Sequence, residues 1–188
     1  LTAARDTAEE LDQVLGTVVE SGAELLLVSG GVSAGRFDLV EPALQGIGAQ
    51  FHFTGVRMQP GKPVVFGQVP ARGRTLPFFG LPGNPISSSV TFLLFGAPLL
   101  AALAGCGYEG PRFAMARLSD ATDRNATLTR FLPAWCGPGG SSDAPQVAPV
   151  PWHGSGDLPA FGRSNCFVMV PEGIGGLAAG EMVRILMV

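Results

Sequence analysis

The chain has 188 residues, of which 46% are hydrophobic and 14% charged, and its formal net charge is −3. This length and apolar content are enough to bury a sizeable core and exclude a disordered protein. The slightly acidic balance excludes non-specific binding to nucleic acid, which needs a basic surface.

The first part of the chain alternates between helical and strand-like patterns. Thr7 and Glu10 form a capping-box pattern ahead of apolar residues at helical spacing, and a second, short helix is predicted over residues 38–47. Apolar runs predict four strands, at residues 25–28, 51–58, 63–66 and 76–79. The first run lacks polar alternation, which is typical of a strand buried on both faces.

A long helix is predicted next. Asn84 is a favoured N-cap and Pro85 a favoured first helical residue, and the apolar residues that follow extend to Leu103. Pro98 lacks an N–H group and therefore bends the helix. Because Gly96 and Pro98 interrupt this most apolar stretch, we expect no run long enough to span a membrane.

The sequence changes in character from Gly105 onwards. Short strand-like runs separated by polar turns recur at residues 113–118, 128–131, 146–150, 166–170 and 182–188. Such spacing is typical of a small sandwich or barrel. The sequence therefore predicts an α/β domain over residues 1–108, with a parallel or mixed sheet, and a small all-β domain over residues 109–188.

The spacing of the cysteines indicates the cellular compartment, and the N-terminus indicates whether the chain is complete. Cys106, Cys136 and Cys166 are isolated from one another along the chain, which fits neither a zinc site nor a disulfide framework. We therefore expect reduced thiols and a cytoplasmic protein. The chain begins at Leu1, without Met and without a signal-peptide pattern, which indicates a piece of a longer protein.

A glycine-rich turn follows the first predicted strand. Gly30, Gly31 and Gly35 allow the backbone to turn sharply and to approach a ligand closely. Strand, turn and helix in this order present backbone N–H groups to an anion at the carboxyl end of a parallel strand. The motif is neither a Walker A loop nor GxGxxG, so a purely structural turn explains it equally well.

Two further loops, at residues 59–63 and 81–85, are rich in Gly or Pro and flank predicted strands or helices. Lys62 carries a compact charge suited to an oxyanion, and Asp38 beside an anion site favours a divalent cation or a ring N–H as its partner. Together these loops suggest a nucleotide or phosphate ester with Mg²⁺. Structural alternatives remain open, namely a solvated Lys62 and helix caps at Asp38 and Asn84.

The second region offers fewer candidates. Arg130 lies in a strand-like segment, and residues 153–157 form a tight polar loop that is most simply a hairpin connection. The other histidine of the chain, His52, belongs to the first region, so His153 is a poor candidate for a metal ligand.

Taken together, three motifs resemble the molybdopterin molybdenumtransferase family, which includes the E domain of gephyrin. They are GGVSAGRFD from residue 30, MQPGKP from residue 58 and LPGNP from residue 81. Shorter matches at residues 154–157, 164–165 and 171–181 extend the resemblance into the second region. The resemblance implies the C-terminal half of such an enzyme, with a molybdopterin-binding α/β domain that lacks its first strand and helix.

The resemblance also implies an activity. In this family, the last step of molybdenum cofactor synthesis inserts molybdate into adenylylated molybdopterin and releases AMP with the help of Mg²⁺. We therefore expect molybdate and adenylylated molybdopterin as substrates, Mg²⁺ as cofactor and a homodimer for the full-length protein, with no membrane partner. Because the family's two N-terminal domains contribute to the dimer and to the active-site cleft, we expect the chain alone to be poorly active.

Substrate-binding residues follow from the matched motifs. The resemblance implies that the nucleotide part is held by the glycine turn and the start of the long helix, at Ser29, Gly30, Gly31, Val32, Ser33, Gly35, Pro82, Gly83 and Asn84. It places a catalytic Lys62 in the loop on the molybdate side, together with Pro60, Gly61 and Pro63.

Acidic and oxyanion-binding residues complete the implied site. Asp38 matches an acidic catalytic residue and the Mg²⁺ ligand, and Asp6 matches a second acidic residue that a helix cap also explains. Arg130 and Ser155 are the candidates for the remaining oxyanion contacts.

One residue departs from the family pattern. Gln59 stands where many members carry a second lysine, so we expect weaker oxyanion affinity without loss of function. Molybdate titration of Gln59→Lys tests this expectation.

Two other functions stay open. The first alternative is the sibling enzyme that adenylylates molybdopterin, which resembles the first region only. The second alternative is a gephyrin-like binding or scaffold module.

Overall fold

The structure, a computed structural model, describes residues 3–5, 7–32, 39–107, 110–122, 127–138 and 144–188. Four residues that the resemblance assigns lie outside this described part: Asp6, Ser33, Gly35 and Asp38. The chain forms two compact units, the first of Leu1–Val56 and Gly61–Asn84 and the second of Arg57–Pro60 and Pro85–Val188. The domain boundary at residue 108 stays a prediction.

Most of the predicted segments are confirmed as helices or strands. The first half contains α1 (Ala8–Glu20), β1 (Leu26–Ser29), α2 (Val40–Gly46), β2 (Gln50–Thr54), β3 (Met58–Gln59), β4 (Val65–Ala71) and β5 (Arg74–Leu81). The second half contains α3 (Pro85–Thr91), a π-helical segment (Phe92–Gly96), α4 (Ala97–Leu103), β6 (Phe113–Leu118), β7 (Thr129–Gly137), β8 (Gln146–Pro149), α5 (Leu158–Gly162), β9 (Cys166–Val170) and β10 (Met182–Met187). Residues 51–58 form two strands instead of the predicted one, because Gly55 interrupts them with a φ of 121°.

The first unit is built on a four-stranded mixed sheet with the order β1-β5-β4-β2. β1 and β5 run parallel, whereas β4 is antiparallel to both β5 and β2. Leu15 of α1 and Leu44 of α2 pack in one core with Phe78 of β5, and all three side chains are buried. This architecture confirms the predicted α/β class.

β1 departs from its expected burial. Burial alternates along this strand and Leu27 is 40% exposed, so the prediction of a strand buried on both faces is wrong. The physical reason is that β1 lies at the edge of the sheet, where β5 is its only strand partner in the described part of the chain. A strand buried on both faces belongs to the centre of a covered parallel sheet.

α3, the π-helical segment and α4 form one continuous helix, Pro85–Leu103, which begins at the predicted residue. The Ala97 N–H donates to the Phe92 carbonyl, and this wider turn accommodates Pro98 without ending the helix. The prediction that no run reaches the length of a membrane span is therefore wrong, since the helix has 19 residues and a mean hydropathy of 1.9. Core helices of soluble proteins that share this length and composition are mostly buried, whereas 28% of the apolar window of this helix is buried in the structure.

The second unit contains a closed β-barrel, which confirms the predicted small all-β fold. β7, β8, β6, β10 and β9 are neighbours in that order, and β9 pairs back to β7. The interior holds fully buried small and branched side chains such as Ala116, Val147 and Val168. β3 adds to β7 as a short parallel strand, which places Gln59 opposite Arg130.

Candidate functional site

Three of the predicted loops lie at one edge of the sheet in the first unit. Ser29 at the end of β1 pairs across the sheet with Leu81 at the end of β5. Gly80 of β5 pairs with Val65 at the start of β4. Because β4 runs against β5, the loop that enters β4 lies at the same edge as the loops that leave β1 and β5. This edge gathers residues 29–32, 61–64 and 82–84, as the sequence predicts.

The glycine turn after β1 touches the loop after β5. The Gly30 N–H donates to the Leu81 carbonyl at 3.0 Å, so it is not one of the N–H groups that the turn can present to an anion. A Cβ atom on Gly83 would lie 3.4 Å from the Cα of Gly30. Gly31 has a φ of 66°, and a Cβ atom there would lie 2.8 Å from a methyl group of Val40. The backbone conformation and the close contact with Val40 therefore require glycine at position 31, whereas the contact at Gly83 leaves room for a small side chain.

Val32 anchors the glycine turn in the core of the first unit. Its side chain is 4% exposed, and a Cβ atom on Gly80 would lie 2.7 Å from Val32 Cγ1. This close contact fixes the described part of the turn, residues 29–32, against β5. A ligand contact at position 32 would therefore use the backbone, whereas Ser29 at the start of the turn has an exposed side chain.

Lys62 projects from a fixed backbone at the same edge. Its carbonyl accepts the Val56 N–H at 2.9 Å, and the Gly61 carbonyl accepts the Val64 N–H at 3.2 Å. These bonds hold the turn in place, while the Lys62 side chain is exposed to solvent. The sheet edge thus combines a cationic side chain with two glycine-rich turns, a chemistry suited to a phosphate or another oxyanion.

A separate cavity of about 510 Å³ lies within the second unit. Gln59 from β3 and Arg130 from β7 line it, together with Thr122 and residues 149–154. Among the described residues, the buried Arg130 Nε has no hydrogen-bond partner. A buried donor left in that state costs about 1–3 kcal/mol, and a guanidinium is well suited to bind an oxyanion through two hydrogen bonds. Arg130 is therefore placed as a candidate anion contact of this cavity.

The loop at residues 153–157 leads into α5, so the prediction of a hairpin connection is wrong. Asp157 is the N-cap of α5 and accepts the Ala160 N–H at 3.0 Å. Its second carboxylate oxygen accepts the backbone N–H of His153, also at 3.0 Å. The Asp-Leu-Pro run from residue 157 is a helix-start pattern that would have predicted α5.

The cavity contains residues that the sequence did not assign and lacks one that it did. Thr122 and His153 line the cavity without having been predicted as site residues, whereas Ser155 is not among the described lining residues. The Ser155 carbonyl accepts the Ile86 N–H at 3.2 Å at the start of α3. Thr122 is held in place because its hydroxyl oxygen accepts the Leu177 N–H at 2.9 Å.

Asp157 makes the stability of the second unit sensitive to acid. The N–H groups of Ala160 and His153 hold the pKa of this carboxyl below its usual value, so the unfolded chain binds its proton at a higher pH than the folded chain. Its contribution is present above the unfolded pKa of about 3.9 and is lost as pH falls through the lower folded value. We expect Asp157→Asn to flatten the fall in Tm between about pH 5 and about pH 3, measured by circular dichroism. Asp12→Asn on the exposed face of α1 serves as the control, and equal slopes for wild type and Asp157→Asn would contradict the expectation.

The described residues offer no metal cluster, and two of the three cysteines carry thiols with raised pKa values. No group of three or more His, Cys, Asp or Glu side chains converges in the part of the chain that the structure describes, and Asp38 lies outside it. All three cysteines are free. Burial raises the pKa of the Cys136 thiol. Burial, together with the neighbouring Cys136, raises the pKa of the Cys166 thiol to about 12. Both thiols are therefore protonated at neutral pH.

Comparison with known proteins gives two successive family matches along the chain. Residues 1–102 match the family described as "Probable molybdopterin binding domain", and residues 115–188 match "MoeA C-terminal region (domain IV)". The chain is 35% identical to molybdopterin molybdenumtransferase from Haemophilus influenzae over 171 residues, which cover 88% of the chain and 40% of that protein. It is 37% identical to gephyrin from Dictyostelium discoideum over 115 residues, 54% of the chain and 16% of gephyrin.

A solved structure agrees with these matches. The molybdopterin biosynthesis moea protein from Pyrococcus horikosii superposes with a TM-score of 0.74 and 30% identity, and covers 98% of the chain and 42% of that protein. The chain spans about 40% of the length of the molybdenumtransferase relative. Since the first match covers residues 1–102 of 188, more than half of the chain, this protein belongs to the molybdopterin-binding domain family.

Proposed function

We propose that this chain acts in molybdenum cofactor biosynthesis as the C-terminal half of a molybdopterin molybdenumtransferase. The observation that carries the proposal is the order of two matches, a molybdopterin-binding domain followed by a MoeA C-terminal region. The reaction proposed is insertion of molybdate into adenylylated molybdopterin with release of AMP. Small-molecule substrates, a cytoplasmic location and a homodimer of the full-length protein belong to the same proposal.

The sheet edge of the first unit is proposed to hold the nucleotide-phosphate part of the substrate. The contact between Gly30 and Gly83 supports this role, because glycines let the backbone come close to a phosphate. Ser29, with its exposed side chain, is suited to hydrogen-bond the same group. Lys62 and Pro63 are proposed for the molybdate side, where the exposed ammonium supplies positive charge.

Arg130 of the second unit is proposed to bind an oxyanion in the cavity that it lines together with Gln59 and residues 149–154, called the barrel cavity below. Its buried, unpartnered Nε supports that role, whereas the proposed contact of Ser155 rests on the resemblance alone. Mg²⁺ is proposed to assist the release of AMP, with Asp38 as its ligand. The described residues do not supply a cluster that fits this ion, so no step is assigned to it.

The match of the barrel to the MoeA C-terminal region favours the transferase over the adenylylating sibling, which the resemblance relates to the first region only. A scaffold function like that of gephyrin is the second alternative. The partly buried, cationic barrel cavity favours a small-molecule site over a docking role.

Gly83→Ala tests the nucleotide role of the sheet edge. The added methyl group would lie 3.4 Å from the Gly30 Cα, in ordinary contact, so the fold is retained while the space between the two loops is filled. We expect AMP to bind the variant roughly tenfold more weakly in isothermal titration calorimetry. Gly16→Ala, on α1 with nothing within 4 Å of the added carbon, is the matched control. Wild-type AMP affinity in Gly83→Ala would contradict the assignment.

A further inference from the structure

Backbone donors are scarce in the wall of the barrel cavity that follows β8. Pro149 and Pro151 have no N–H group. The Val150 N–H donates to a carbonyl of β7 at 2.8 Å, and the His153 N–H donates to the Asp157 carboxylate at 3.0 Å. The same carboxylate oxygen lies 3.3 Å from Nδ1 of His153, so this ring offers an anion no net charge. An anion in the cavity therefore depends mainly on side chains from the other walls.

Thr122 belongs to another wall of the cavity and is held there by two hydrogen bonds to Leu177. Its backbone N–H donates to the Leu177 carbonyl at 3.0 Å, and its hydroxyl oxygen accepts the Leu177 N–H at 2.9 Å. Leu177 is buried in the core of the barrel, so the position of Thr122 is fixed. A threonine hydroxyl has one proton to donate. In the described part of the chain this hydroxyl only accepts, so its proton is available to a ligand.

Thr122 and Arg130 lie at the same end of the barrel. β7 begins where β8 ends, because these two strands are antiparallel, and β6 ends there too, because it runs parallel to β8. Arg130 is the second residue of β7, and Thr122 follows the end of β6. Since β8 alone separates β7 from β6 in the strand order, their backbones are about 10 Å apart. The long side chain of Arg130 can therefore meet an anion that the Thr122 hydroxyl also reaches, in the cavity that both residues line.

We propose that Thr122 is a second anion contact of the barrel cavity, where its hydroxyl donates a hydrogen bond to the oxyanion that Arg130 binds. None of the described lining residues carries a carboxylate, so no acidic group there repels the ligand or needs a proton from it. The ligand class that fits is a fully ionised tetrahedral oxyanion, which only accepts hydrogen bonds. The inference rests on the proposed role of Arg130 and does not depend on the transferase reaction.

Isothermal titration calorimetry with sulfate tests the contact, because sulfate is a fully ionised tetrahedral oxyanion at neutral pH. Thr122→Val keeps the shape of the side chain but removes the hydroxyl, and we expect it to bind sulfate roughly tenfold more weakly. Thr122→Ser keeps the hydroxyl and should stay within about threefold of the wild-type affinity. Ser119→Ala is the matched control. It removes a hydroxyl that donates to Asp120 and does not line the described cavity, so it should leave the affinity unchanged.

Thermal unfolding separates the contact from a purely structural role. Thr122→Val leaves the Leu177 N–H without its acceptor, so Tm should fall. A lower Tm with wild-type sulfate affinity would show that Thr122 only holds Leu177 in place, which overturns the inference.

A double-mutant cycle tests whether the two side chains share one anion. In an Arg130→Lys background, Thr122→Val should weaken sulfate binding by only about threefold, because contacts to the same ion are coupled. The same tenfold loss in both backgrounds overturns the shared site.

The variants also separate this inference from the proposed function. If Arg130→Ala loses sulfate binding and Thr122→Val does not, the proposed role of Arg130 stands without the inference. Sulfate that does not bind the wild-type chain overturns the inference, while AMP release decides the transferase reaction independently.

Discussion

Gly67→Ala is expected to lower the free energy of unfolding of the first unit by about 3 kcal/mol. A Cβ atom on Gly67 would lie 2.4 Å from the Gln50 carbonyl oxygen and 2.7 Å from Cζ of the fully buried Phe78. β4 is paired on both sides, to β2 and to β5, so its backbone cannot move away from this clash. The loss should appear in urea unfolding followed by circular dichroism, with Tm lower by roughly 6–12 °C.

Gly16→Ala is the control for that stability measurement. Gly16 lies inside α1, and nothing lies within 4 Å of the added carbon. Alanine is favoured over glycine in a helix interior, so this variant should gain up to about 1 kcal/mol. Equal stability of Gly67→Ala and wild type would contradict the strand register that places Gly67 between Phe51 and Phe78.

Arg130→Ala is expected to weaken molybdate binding by about 30-fold, because hydrogen bonds from a charged group contribute about 1.5–3 kcal/mol each. Lysine keeps the charge but loses the two-pronged geometry of the guanidinium, so Arg130→Lys should fall between the wild type and Arg130→Ala. Calorimetric titration with molybdate measures both.

The control for this pair is Arg184→Ala. Arg184 is an exposed arginine of the same barrel whose guanidinium lies 5.2 Å from the Phe113 ring centroid. It does not line the cavity, so molybdate affinity should be unchanged. Equal losses in Arg130→Ala and Arg184→Ala would show that the binding depends on overall charge and not on the cavity.

Local sequence patterns predicted much of the fold. β6 and β9 have the predicted bounds, and the Thr7 hydroxyl accepts the Glu10 N–H at 3.4 Å as the capping box requires. These features depend on side chains a few residues apart, where spacing alone determines which groups meet. The glycine turn and the loop after β5 were also predicted to converge, because strand ends on one sheet edge are neighbours.

The features that the sequence did not predict depend on residues far apart in the chain. Gln59, Arg130 and His153 line one cavity only because β3 pairs with β7 and the loop before α5 lies beside them. The exposure of Leu27 follows from the position of β1 at the sheet edge, which its apolar sequence cannot reveal. The sequence predicted a bend at Pro98 but not the π-helical turn that precedes this residue.

The most direct test of the proposed transferase is molybdate-dependent release of AMP. The protein encoded by the full reading frame that contains this chain is incubated with adenylylated molybdopterin and Mg²⁺, with and without molybdate, and AMP is quantified by chromatography. We expect AMP release that requires molybdate and that is lowered in Gly83→Ala and Arg130→Ala. Consumption of ATP and molybdopterin, with AMP release indifferent to molybdate, would contradict the transferase and indicate the adenylylating sibling.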